Sequence, residues 1–245
     1  MRFFHAIIAG VFLCSTAIAF ENITAPEIKL AYGNNGDVYT GKLVALIYQE
    51  AFKRLDINLS IITCPPLNCS LMVKEKLVDG ELSRSKTYQR VNPQAIRLLE
   101  SAYSAKIAAY AINSGFAVKG WDSFTDTDLK VGCVIGYPYC DEQLKNRGSG
   151  LKIVKLPFRQ SGINKLLNGD IDVLIGNGNN VDCEIRKQML VNIKNIGVIQ
   201  ELPLYAYLGK KHKLLKKDLE VILKKMKSDG SIESIYQALN KEHCM

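Results

Sequence analysis

The chain has 245 residues, 47% of them hydrophobic and 23% charged, with a formal net charge of +8 and seven Cys. That length suits one large domain or two lobes of about 100 residues each, and the composition is globular, without the low-complexity tracts or short-period repeats of disordered or solenoid chains. The basic charge raises nucleic acid as a partner, but the densest basic segment, Lys210 to Lys217, leads into an amphipathic helical pattern without interleaved aromatics, so solvated helix faces account for it and no nucleic-acid partner is expected.

The N-terminus carries Arg2, an apolar run from Phe3 to Leu13, and the small-x-small triplet Ala17-Ile18-Ala19. This three-part pattern predicts a secretory signal peptide over residues 1–19, cleaved between Ala19 and Phe20. The run is shorter than the ~20 apolar residues of a spanning helix. Bulky Phe12 and Leu13 precede Cys14 and argue against lipid attachment there. Losing Arg2 with the leader leaves the mature chain at +7.

Strand-like and helix-like runs then alternate, predicting an α/β fold. Ile28 to Tyr32 reads as a strand ending in the turn-rich Gly33-Asn34-Asn35-Gly36-Asp37. Thr40 is a candidate N-cap for a helix whose buried stripe is Leu43, Val44, Ile47, Ala51 and Leu55. Ile57 to Ile62 is the next strand. Cys64 and Cys69 then flank a Pro-Pro-Leu-Asn turn short enough to close with a disulfide. A helix from about Ser70 leads to a strand over Val78 to Leu82.

Past Trp121 the rhythm restarts. Strands are expected at Lys130–Ile135, Leu151–Lys155 and Ile171–Ile175, and a polar helix over Asp141–Arg147. Ser161 is a candidate cap for a helix with Ile163, Leu166 and Leu167 inward. A turn is expected at Gly176-Asn177-Gly178-Asn179-Asn180, with a helix from Val181. Leu219, Ile222, Leu223 and Met226 mark a further helix, broken at Asp229-Gly230, and Ser231 can cap the next. The six Cys of the mature chain, an even number in an exported protein, favour disulfides. No paired C-x-x-C spacing calls for zinc, and no metal or cofactor is expected. The pairing of Cys133, Cys140, Cys183 and Cys244 stays open.

The ordered set of segments resembles the bacterial family 3 extracellular solute-binding proteins, which have the type II periplasmic binding protein fold and include polar amino-acid receptors. The resemblance is carried by Tyr39-Thr40-Gly41-Lys42-Leu43-Val44, Leu77-Val78-Asp79-Gly80, Asp128-Leu129-Lys130-Val131-Gly132, Leu167-Asn168-Gly169-Asp170-Ile171-Asp172-Val173 and Met226-Lys227-Ser228-Asp229-Gly230-Ser231-Ile232. It implies two α/β lobes, residues 20–112 with 201–245 and residues 113–200. It further implies a periplasmic monomer that closes over a small polar ligand by hinge motion and delivers it to the permease of an ABC-type transporter. A sensory or accessory module of the same fold is the alternative.

Physical logic and resemblance point to the same ligand-binding candidates. Arg90 ends Thr87-Tyr88-Gln89-Arg90, which looks like the family's carboxylate clamp, and Arg84 is its rival. A guanidinium fork suits a carboxylate by forming two charge-assisted hydrogen bonds. Tyr32, Tyr103 and Tyr137 are candidate aromatic walls. Asn177 stands where the family's amino-acid binders typically carry an Asp; an amide offers a hydrogen bond without the charge, and Asp182 in the next segment is the candidate substitute. The sequence holds no G-x-S-x-G, H-E-x-x-H or phosphate-loop pattern, and no enzyme is expected. Exported protein should begin at Phe20 without a lipid on Cys14. Its intact mass checks this, and a diacylated Cys14 would contradict it.

Overall fold

The computed structural model describes residues 27–33, 38–112, 115–135 and 138–244. The predicted leader, Cys14 and Tyr137 lie outside these residues. β1 (Glu27–Gly33) precedes α1 (Val38–Lys53), β2 (Asn58–Cys64), α2 (Pro66–Lys74) and β3 (Gly80–Arg84). A one-turn α3 (Tyr88–Val91) leads to β4 (Ala95–Arg97) and the long β5 (Tyr103–Ile112). The alternation resumes with β6 (Lys130–Val134), α4 (Pro138–Leu144), β7 (Lys152–Leu156), α5 (Arg159–Leu167), β8 (Val173–Asn177) and α6 (Gly178–Lys187). β9 (Ile193–Gly209), α7 (Lys213–Ser228) and α8 (Ser231–His243) follow.

The strands form a curled mixed sheet in the order β2-β1-β3-β9-β5-β8-β6-β7, with β4 beside β9. β1 runs parallel to β2 and β3, and β6 runs parallel to β7 and β8. Each parallel group needs helical crossovers, which the alternating helices supply. β5 and β9 are antiparallel from Tyr103↔Leu204 to Ile112↔Ile193. β5 also pairs with β8, and the far end of β9 pairs with β3 and β4. These two strands therefore join the half built on β1–β3 to the half built on β6–β8.

The α1 stripe packs as its spacing predicts through Ala51, whereas Leu55 falls beyond the end of the helix and is half-buried. Leu43, Val44, Ile47, Tyr48, Ala51 and Phe52 are all buried, against Leu30 and Leu82 of the sheet. Each large apolar side chain buried this way contributes about 1.5–3 kcal/mol. In the other half, Ile163 and Leu166 of α5 pack on Leu156 and Leu174. Leu167, one position round the helix, is exposed rather than inward.

None of the three expected hydroxyls caps its helix. α1 begins at Val38, so Thr40 lies inside its first turn and bonds elsewhere. Ser161 lies inside α5 and donates its hydroxyl to the Phe158 carbonyl at 2.6 Å. The first N–H of α8, from Ser231, is taken by the Asp229 carboxylate at 2.9 Å, after left-handed Gly230. The Gly176–Asn180 run is not a turn: β8 continues through Asn177 and α6 starts at Gly178. Gly178 permits this junction, because a Cβ there would lie 3.1 Å from the Lys106 carbonyl oxygen of β5. α2 also starts early, with Pro66 in its first turn, where its missing N–H costs no helical bond.

Asp79 and Gly80 anchor the start of β3. A Cβ on Gly80 would lie 2.1 Å from the Tyr207 carbonyl oxygen, so only glycine lets β3 approach β9 here. The Asp79 carboxylate accepts the Lys29 backbone N–H at 3.0 Å and meets His212 Nε2 and Lys211 Nζ at 2.8 Å each. Burial alone would raise its pKa, but these partners bring it down to about 2. The unfolded carboxyl titrates near about 3.9. The contribution of Asp79 is therefore complete above about pH 4 and drains as pH falls toward 2. Urea melts should find Asp79→Asn less stable than the parent at pH 5, with the two curves converging as the pH approaches 2.

Candidate ligand-binding site

In open α/β sheets, ligands settle beyond the carboxyl ends of parallel strands. The C-terminal ends of β6, β7 and β8 share one edge, which carries Ile135, then Phe158 and Arg159, then Asn177 to Asn180. β1 and β3 end on a second edge, facing the starts of α1 and α3. The two edges meet directly. Asn180 Oδ1 accepts both the Thr40 backbone N–H (3.0 Å) and the Thr40 hydroxyl (2.6 Å). Tyr103 donates its phenol hydroxyl to Asn177 Oδ1 at 3.1 Å. Thr40, Tyr103, Asn177 and Asn180 are all buried in this seam.

A backbone N–H can only donate, so the Asn180 atom facing Thr40 is its amide oxygen. The amide nitrogen of Asn180 is then a buried donor, and it has no hydrogen-bond partner among the described residues. Leaving such a donor unsatisfied costs about 1–3 kcal/mol. It is a group waiting for an acceptor.

Behind the seam, α1 and α8 meet and α6 joins them. Tyr39 donates its hydroxyl to Asn240 Oδ1 at 3.0 Å, and Arg186 of α6 reaches the same oxygen at 3.3 Å. The Tyr39 ring stacks on His243 and meets Tyr236 edge-on, and burial raises its hydroxyl well above the usual phenol range. Cys183 of α6 is bonded to Cys244 at the end of α8. The other disulfides, Cys64–Cys69 and Cys133–Cys140, are local. The first of these is the one predicted.

Arg84 is held by its own strand. Three residue steps along β3, Glu81 to Arg84, span the same stretch as two along β9, Tyr207 to Tyr205, with Ser83 at φ +61°. This bulge adds one residue, so side chains at i and i+3 share a face where a regular strand would separate them. Arg84 Nε lies 3.2 Å from Glu81 Oε1, and Arg84 Nη2 donates to Ser70 Oγ at 2.9 Å. The guanidinium also covers the Tyr88 ring, 4.7 Å from its centroid. Glu81 is fully buried. Burial pushes its carboxyl up, against the opposing pull of Arg84, Tyr88 and Ser70.

Arg84 pairs with Tyr205 on β9, and the next residue, Leu204, pairs with Tyr103. At about 4.8 Å per strand, this places Arg84 about 10 Å from the Tyr103–Asn177 contact. Arg90 lies on α3, exposed, with no side-chain hydrogen bond or ion pair among the described residues. Tyr32 is buried in the core with its ring against Gly41 of α1.

Sequence reasoning missed Thr40 and Asn180 as partners, Glu81, and Arg97. Arg97 on β4 stacks over Tyr205 at 4.6 Å, a second guanidinium–aromatic pair at this level of the sheet. An apolar groove lined by Phe116, Leu129, Leu166 and Val173 lies near the amino ends of β6 and β8, opposite this edge, where the strand-end argument places no ligand.

No protein-family model matches the chain. An uncharacterized protein of Shewanella oneidensis is 27% identical over 249 residues, covering 94% of this chain and 92% of the relative. Among solved structures, the probable amino-acid ABC transporter extracellular-binding protein YtmK from Bacillus subtilis is similar with a TM-score of 0.70 at 15% identity, covering 90% of this chain and 99% of its own. The GluR0 ligand-binding core in complex with L-glutamate matches with a TM-score of 0.70 at 11% identity, over 89% of this chain and 99% of its own. The chain has the two-lobed type II periplasmic binding protein fold. Among the described residues no helix is long and apolar enough to cross a membrane.

The Cys183–Cys244 bond closes a loop of 61 residues. On chain entropy such a bond contributes about 4 kcal/mol, against about 2 kcal/mol for the five-residue Cys64–Cys69 loop. Denaturant unfolding of the Cys183→Ser/Cys244→Ser double variant should show the larger loss. An equal or smaller loss than in the Cys64→Ser/Cys69→Ser variant would contradict this.

Proposed function

We propose that this is an exported, periplasmic solute-binding protein that captures a small polar, carboxylate-bearing ligand by closing two lobes, as a monomer serving the permease of an ABC-type uptake system. The lobes are residues 20–112 with 201–245, and residues 113–200, with β5 and β9 as the crossing strands. The observation that carries the reading is the seam itself. Two strand edges built from distant parts of the chain meet through buried, side-chain-specific hydrogen bonds, Thr40 to Asn180 and Tyr103 to Asn177. Such polar contacts between lobes suit an interface that opens and reforms better than an apolar core would. The similar amino-acid transporter binding protein YtmK supports the same role.

A catalytic reading has little to stand on. Of the two His in the mature chain, His212 is engaged by Asp79 before β3 and His243 is stacked on Tyr39. A sensing module is the second reading, favoured by the equal likeness to the GluR0 ligand-binding core. A neighbouring permease and ATPase in the genome would separate uptake from sensing.

Arg90 is the proposed carboxylate holder, with Tyr32, Tyr103 and Tyr137 as the aromatic wall and Asn177 on the opposing lobe. Arg84 holds Glu81 and shapes the wall from behind. The two arginines then separate in calorimetry and melting. Arg90→Ala should lose more than about a hundredfold in ligand affinity with an unchanged melting temperature, as expected when one partner of a desolvated charge pair is removed. Arg84→Ala should lower the melting temperature, because it strands the buried Glu81 carboxyl. Small-angle scattering should show compaction on binding. If Arg90→Ala binds like the parent, the site is elsewhere.

A further inference from the structure

Given the solute-binding reading, the remaining question is the charge type of the ligand, and the seam answers it through its donors and acceptors. Asn177 and Asn180 sit at the junction of β8 and α6, on the second-lobe edge. Asn180 Oδ1 is filled by Thr40, which donates to it at 3.0 and 2.6 Å, and Asn177 Oδ1 accepts the Tyr103 hydroxyl at 3.1 Å. What remains of Asn180 toward a ligand is N–H, and its amide nitrogen is buried without a partner among the described residues.

The carboxylates of these elements are engaged as well. Asp182 accepts the Tyr110 hydroxyl at 2.7 Å, Glu184 accepts the Gln188 amide at 2.5 Å, and Glu81 is paired with Arg84 at 3.2 Å. Two aromatic faces at this level already carry cations, Arg84 over Tyr88 and Arg97 over Tyr205. On the first lobe Arg90 is an exposed cation on α3.

We infer that the ligand is a small organic anion with acceptor oxygens at both ends and no ammonium group, the Asn180 amide nitrogen donating to one end and an arginine of the first lobe holding the other. The inference rests on the solute-binding reading of the same seam. It separates this chain from a receptor for α-amino acids by chemistry alone. A carboxylate or carbonyl oxygen satisfies the orphaned donor, whereas an ammonium placed against the Asn180 amide nitrogen leaves it unsatisfied.

The test is isothermal calorimetry on the oxidised mature protein with matched pairs of probes, glutarate and 2-oxoglutarate against L-glutamate, and succinate against L-aspartate. The amine-free anions should bind more tightly than their amino counterparts by about tenfold or more. Asn180→Asp keeps an acceptor for Thr40 while replacing the donor with a negative oxygen. It should weaken anion binding by about tenfold or more, measured at a temperature where the variant is folded, because the buried carboxylate also lowers the melting temperature. Tighter binding of the amino acids, or an Asn180→Asp protein that binds the anions as the parent does, overturns the inference and leaves the solute-binding reading standing. No binding of either set, with no compaction in scattering across a broad solute screen, overturns both.

Discussion

β9 is paired with β3 and β4 at one end and with β5 over the rest of its length, so one strand holds the register of both halves of the molecule. Everything in the seam depends on that register. It sets Tyr205 beside Arg84 and Leu204 beside Tyr103, and through β5 it sets Ile107 opposite Asn177. The β5–β9 ladder shifts register twice, between Ile107 and Ala108 and between Ala109 and Tyr110. Bulges of this kind increase twist and bend the strand that carries them. Gly197 lies in the same stretch at φ +148°, where a Cβ would be 2.1 Å from the Val118 carbonyl oxygen. The crossing pair is therefore continuous enough to transmit position and irregular enough to bend.

The polar side of the architecture divides by lobe. The first lobe places its charges behind the wall, with Glu81 neutralised by Arg84 and the aromatic rings sandwiched beneath guanidiniums. A buried carboxylate without its arginine would be costly, so the Glu81–Arg84 pair makes the strand bulge at Ser83 obligatory rather than incidental. The second lobe contributes neutral amides at the junction of β8 and α6. Direct passage from strand to helix at Gly178, without an intervening loop, fixes Asn177 and Asn180 three residues apart on adjoining elements. One reaches Tyr103 and the other Thr40.

Much of the fold was legible in the sequence because periodicity and punctuation report local structure. The α1 stripe, the β6, β7 and β8 runs, the Asp229-Gly230 break and the Cys64–Cys69 loop all follow from spacing alone. The caps at Thr40, Ser161 and Ser231 were misread because a hydroxyl near a helix start has several local partners, and tertiary contacts chose among them. Tyr103 and Asn177 were both singled out as candidates, and the structure brings them into contact. Asn180 and Thr40 were invisible as a pair because 140 residues separate them. Glu81 reads as a solvent-facing residue of an alternating strand. Only the bulge, which the alternation does not encode, turns Arg84 onto its face.

The bond between Cys183 and Cys244 makes the history of a sample part of its structure. Thiols stay reduced in a bacterial cytosol, so protein made there would carry α6 and α8 side by side without the covalent tie, and the seam would rest on hydrogen bonds such as Arg186–Asn240, Thr40–Asn180 and Tyr103–Asn177. Two preparations of identical sequence and mass to within two hydrogens per bridge would then differ in how far the lobes can part, and their affinities would describe two different hinges.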